Sequence, residues 1–159
     1  NTFPDSIILV PFRNPIQQSY SLLFQHQRFI AKSKNDIFIS NYMKLIGHTE
    51  FGPNYIPIHN KNLNFKNDLD INHWLEQWCL TYQDCFQSFE NEKNVHFVCY
   101  EHLCESNDYW LAILKALDTG NSYNYEFNKS EKQITERIDD SLKEVSSSLY
   151  TQLSSLDLS

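Results

Sequence analysis

Arg13 is one of only three arginines in the chain, beside Arg28 and Arg137. Its guanidinium is a planar fork of donors, a shape that suits phosphate. The residues after it sharpen that chemistry. Asn14 sits where a helix N-cap belongs and Pro15 where the first helical residue belongs, because proline there loses no needed hydrogen bond. The free N–H groups at such a helix start form an anion site. A surface arginine paired with a carboxylate is the bland alternative. Other reactive types are less well placed. His48 and Glu50 could act as a base or a metal pair, but a loop histidine without a role is the simpler reading. His26 lies on a helix, His73 near a helix start and His96 within a strand, each as a structural residue. His59 and His102 fall in loops with no evident acid or nucleophile beside them. Cys79, Cys85, Cys99 and Cys104 form no CxxC pair and read as buried free thiols rather than a zinc site or a disulfide frame. That usage fits a reducing compartment, and no metal is expected.

The elements that would position Arg13 follow from local patterning. Ile7-Ile8-Leu9-Val10 is too short for a membrane span and has the length of a strand buried on both faces. It stops at Pro11-Phe12-Arg13. The helix from Pro15 carries Ile16, Tyr20, Leu23, Phe24 and Phe29 at spacings near three and four. In an open parallel sheet, ligands bind at the carboxyl ends of the strands, which is where Arg13 stands. Asn35-Asp36 starts another helix, with Ile37, Phe38, Met43, Leu45 and Ile46 as its apolar stripe and Gly47 as its stop. Residues 52–66 read as a surface loop. Asp68-Leu69-Asp70 opens a long helix in which Trp74, Trp78 and Tyr82 recur every four residues as a core face. Residues 94–100 form a second strand, and a helix runs over 107–118. A docking helix closes the chain over 129–159, starting near Ser130 with Gln133 placed for a capping box. Two strands separated by helices suggest parallel pairing through a crossover. That would bring Arg13 and Tyr100 to one edge of the sheet.

At 159 residues the chain is long enough for one domain with a real core. Apolar residues make up 41% and aromatic residues 14%, the composition of a folded chain. A net charge of −7 argues against a generic nucleic-acid or heparin binder, though not against one small anionic cofactor. No run approaches the ~20 apolar residues of a membrane helix. No signal peptide opens the chain, although it starts at Asn1 rather than Met, and a cytoplasmic location is expected.

Arg13-Asn14-Pro15, with Ser21 eight residues after the arginine, resembles the cofactor 3′-phosphate motif of the sulfotransferase family, whose members use 3′-phosphoadenosine 5′-phosphosulfate. Asn14 and Ser21 lie seven apart and so share one helix face. VCYEHL followed by WLAILKALD resembles the family segment in which a strand ends in Tyr-Glu and a leucine-rich helix follows. GHTEFGP resembles a His-rich Glu-Phe-Gly segment of some bacterial members. The resemblance spans roughly residues 6–118. It implies that Arg13 and Ser21 bind the 3′-phosphate and that Tyr100 helps to hold that region. The implied ligands are 3′-phosphoadenosine 5′-phosphosulfate and its product, 3′-phosphoadenosine 5′-phosphate. The implied fold is α/β, a P-loop-NTPase-like three-layer fold with a parallel sheet, here incomplete and helix-rich.

The chain departs from the family pattern in one way. The family's Gly- and Lys-containing phosphosulfate loop and its catalytic histidine precede the arginine motif, and neither is present. The only glycines are Gly47, Gly52 and Gly120. Residues 1–159 are therefore expected to form a single domain that is the C-terminal part of a sulfotransferase-like domain, or that pairs with another chain. It would supply the 3′-phosphate-binding part and no catalytic residue. Alone it would not transfer sulfuryl to an acceptor hydroxyl or amine, since the step needs a base and a cation on the leaving phosphate. Two alternatives stay open. A kinase-like nucleotide-binding transferase would need a Gly-rich loop and acids for Mg²⁺. A non-catalytic interaction module would rest on the aromatic and tail helices.

Overall fold

The computed structural model describes residues 6–120 and 125–157. In chain order its elements are β1 (Ile8–Phe12), α1 (Pro15–Asn35), α2 (Ile37–Leu45), α3 (Ile71–Phe89), β2 (Val95–Cys99), α4 (Tyr100–Glu105), α5 (Asn107–Ala116) and α6 (Asp140–Ser155). The protein is mixed α/β and helix-rich, with a two-stranded parallel sheet among the described residues. The chain divides into two compact units. One holds residues 1–14, 82–133 and 147–159, and the other holds 15–81 and 134–146.

In the first unit, β1 and β2 pair from Ile8 opposite Val95 to Phe12 opposite Cys99. Asp157, from the end of the chain, adds one parallel bridge at Phe97. Phe12 is buried, with Tyr82 and Tyr150 meeting it edge-on at 6.5 and 5.6 Å. Burying such a ring stabilises the fold by about 1.5–3 kcal/mol. The Tyr82 hydroxyl donates to the Pro11 carbonyl at 2.7 Å. Val98, Tyr109 and Ile113 form a further cluster, walled by Leu103, Trp110 and Leu117. Ser106 caps α5 by accepting from the Tyr109 N–H.

β1 is not buried on both faces, as its apolar run suggested. Ile7, Ile8 and Leu9 are 40, 44 and 37% exposed. β-branched residues make the strand, but covering both faces takes further layers, and in this sheet β1 has a single neighbour.

In the second unit, Leu23, Ile71 and Trp74 form the core, with Tyr20, Phe51, Tyr55, Ile134 and Ile138 against it. Trp74 and Trp78 are buried, as the four-residue recurrence implied. The inward face of α1 is Pro15, Ser19, Leu23 and His26, whereas Phe24 is half exposed. The apolar stripe shares only Leu23 with this face, because two of its members are polar and each makes a hydrogen bond inside the fold. Ser19 donates to the Pro15 carbonyl at 2.7 Å. His26 Nδ1 accepts the Gly52 N–H at 3.1 Å. Gly52 has φ +86°, and a Cβ there would lie 3.1 Å from Phe29 Cβ, so glycine permits this approach to α1. Asp36 caps α2 through bonds from the Phe38 and Ile39 N–H groups. No residue of α2 is buried.

The tail helix starts at Asp140, not near Ser130. Asp139 caps it by accepting from the Leu142 N–H at 3.1 Å. Buried Asn72 holds the residues before it, donating to the Arg137 carbonyl and accepting the Asp139 N–H. These long-range bonds hold 137–139 outside the helix, which overrides the periodic stripe.

Candidate functional site

β1 ends at Phe12 and β2 ends at the paired Cys99, so the next residues, Arg13 and Tyr100, leave the sheet at one edge. The Arg13 guanidinium carbon lies 4.8 Å from the centroid of the Tyr100 ring. That is cation–π distance. Tyr100 does not end the strand but opens α4. Its hydroxyl donates to the Asn128 carbonyl at 2.8 Å, and Arg13 Nη2 donates to the Ser130 carbonyl. One segment thus takes donors from both side chains.

Glu101 joins them. Its Oε1 accepts the Asn14 N–H at 3.0 Å and lies 3.9 Å from Arg13 Nε. Its Oε2 accepts from the Tyr150 hydroxyl at 3.1 Å and from the Cys99 thiol at 3.5 Å. The Arg13 and Glu101 side chains are 20 and 14% exposed. The chain's own carboxylate therefore faces the arginine and the N–H before α1, the position a bound anion would take. Arg13 Nε is buried and makes no hydrogen bond. Glu101 was legible beside Tyr100 in the Tyr-Glu pair, although the pattern of the chain did not single it out.

Ser21, the third residue of the phosphate motif, belongs to the other unit. Its hydroxyl donates to the Gln17 carbonyl at 2.9 Å, one turn back on α1.

The histidines and cysteines fall differently from expectation. His102 does have an acid beside it: its Nδ1 bonds to the Asp157 carboxylate. Asp157 also accepts from the Tyr109 hydroxyl and, at 3.4 Å, from the Cys99 N–H. Nothing local in the sequence pairs positions 55 residues apart. His48 lies 3.5 Å from Glu50 and stacks on Phe29 at 5.0 Å, which makes it a packing residue of the 47–53 loop. His26 is wholly buried. Desolvation lowers its pKa, opposed by the Asp68 charge and helped by His73. All four cysteines are free; Cys79 and Cys99 are buried and Cys85 and Cys104 partly so. Burial raises the Cys79 thiol to about 11 and also raises Cys85 and Cys99.

No helix among the described residues is long and apolar enough to cross a membrane. Comparison with protein-family models, with curated proteins and with solved structures finds no match to this chain.

Proposed function

We propose that this chain is the 3′-phosphate-binding part of a sulfotransferase, of the P-loop-like three-layer class, acting in a reducing compartment such as the cytoplasm. In the reaction, the S–O bond to the 5′-phosphate of 3′-phosphoadenosine 5′-phosphosulfate breaks. A bond forms from sulfur to the acceptor's oxygen or nitrogen. The acceptor's proton passes to a base, and 3′-phosphoadenosine 5′-phosphate leaves. These 159 residues hold no Gly- and Lys-containing phosphosulfate loop, so the reading assigns them the 3′-phosphate-binding role alone. The observation that carries this reading is the stacked Arg13–Tyr100 pair at the carboxyl ends of two adjacent parallel strands. A guanidinium held on a ring beside a helix start suits a phosphate. Ser21 enters by resemblance alone.

A specific observation favours a second reading. Glu101 and the Ser130 carbonyl already engage Arg13, as a structural stitch would. Calorimetry on the full chain separates the two. Binding of 3′-phosphoadenosine 5′-phosphate should be at least tenfold tighter than binding of adenosine 5′-phosphate. Arg13→Ala should lose about 1.5–3 kcal/mol of that affinity, the scale of a charged hydrogen bond. Equal affinity for the two nucleotides, or an Arg13→Ala effect confined to thermal stability, would favour the stitch.

A further inference from the structure

Three donors, two close together in sequence and one from the segment after α6, meet at the end of β2. They are Cys99 Sγ, His102 Nδ1 and a carboxylate oxygen of Asp157, all within 4.8 Å of one another. All three belong to one unit. Cys99 closes β2, His102 stands in the first turn of α4, and Asp157 follows α6. The Asp157 side chain is only 1% exposed and Cys99 is fully buried, whereas the His102 ring is 44% exposed. A second acid lies close, for Glu101 Oε2 is 3.5 Å from the Cys99 sulfur. Two carboxylates thus flank one thiol.

We propose that Cys99, His102 and Asp157 bind a divalent transition metal, zinc by its ligand set, which ties the end of the chain to the end of β2. One thiolate, one imidazole and one carboxylate form a donor set suited to tetrahedral zinc; the soft sulfur disfavours magnesium and calcium. The half-exposed His102 leaves a way in for the ion and for a water in the fourth position. Tyr109 donates to Asp157 Oδ1 while His102 meets Oδ2, so the carboxylate is oriented by an outer hydroxyl, as ligating acids commonly are. On binding, the Cys99 thiol gives its proton to solvent and the thiolate takes the metal. This site stands on residues that the sulfotransferase reading does not use.

The test is a titration of the metal-free full chain with Co²⁺, followed by displacement with Zn²⁺. One equivalent of Co²⁺ should give a thiolate-to-cobalt charge-transfer band and the visible bands of four-coordinate cobalt. Cys99→Ser should abolish the charge-transfer band. His102→Gln, at a half-exposed position that tolerates change, should weaken binding by more than about a hundredfold, beyond what loss of an outer partner costs. Circular dichroism verifies that each variant is folded; if Cys99→Ser does not fold, His102→Gln alone decides. No charge-transfer band at one equivalent in the folded wild type overturns the proposal. So does a band that survives Cys99→Ser, or an affinity unchanged in His102→Gln, because the metal would then sit on another cysteine.

Discussion

Replacing Glu76 with alanine removes the acid that holds the loop before α3. Glu76 is 5% exposed. Its Oε1 accepts the Asn64 N–H and the Asn64 side-chain amide, and its Oε2 accepts the Phe65 N–H, each at 2.9 Å. Hydrogen bonds to a charged group contribute about 1.5–3 kcal/mol each, but the carboxylate's own desolvation offsets much of the sum. The Asn64 amide can turn to water in the variant. Two backbone N–H groups are left unmet, at about 1–3 kcal/mol each. Their sum is about 2–6 kcal/mol, and relief of the carboxylate's own desolvation brings the expected loss to about 2–4 kcal/mol. Glu76→Gln keeps the volume but turns an NH₂ toward one of the donors, and should cost about 1–3 kcal/mol. Urea unfolding followed by circular dichroism measures both, and hydrogen exchange at the Asn64 and Phe65 amides locates the effect. A Glu76→Ala loss below about 0.5 kcal/mol, the level of an ordinary surface change, would refute the reasoning.

Further outcomes follow from the same unit. His26 has a folded-state pKa lowered below the ordinary 6.5 by desolvation, so the native state binds fewer protons than the unfolded one. Stability should be full above pH 6.5 and fall as pH drops from there to the folded-state pKa, by at most about 1.4 kcal/mol per pH unit. Urea titrations at pH 7.5 and about 5.5 should show a smaller acid loss in His26→Gln than in the wild type; equal losses would exclude His26 as the cause. Gly52→Ala must hold a side chain at φ +86° and place its Cβ 3.1 Å from Phe29 Cβ. A cost of about 2 kcal/mol is expected, mostly from the left-handed backbone, and a melting temperature unchanged by the substitution would contradict it.

Much of the local structure was legible. Pro15 opening α1, Asp36 capping α2, the buried Trp74 and Trp78 and the parallel β1–β2 pair all follow from residue types and spacing. The capping and packing signals act within a few residues, and the parallel pairing follows from the crossover rule. Local patterning falls short where burial and tertiary contacts intervene. Ser19 and His26 took the inward face of α1 because their polar atoms find bonds there. Asn72 and Asp139 delayed the tail helix to Asp140. β1 kept exposed residues because strand formation and coverage are separate requirements.

For the candidate site, the sequence by itself placed Arg13 just past one strand and Tyr100 at the end of another, because strand propensity and the crossover rule are local and topological. Only the tertiary structure decided what those groups touch. It set the guanidinium on the Tyr100 ring, brought Glu101 against the N–H before α1, and carried Asp157 to Cys99 and His102. The physical reason is reach. Hydrogen bonds and charge pairs form wherever folding brings donor and acceptor within about 3 Å, and separation along the chain leaves no trace of that distance.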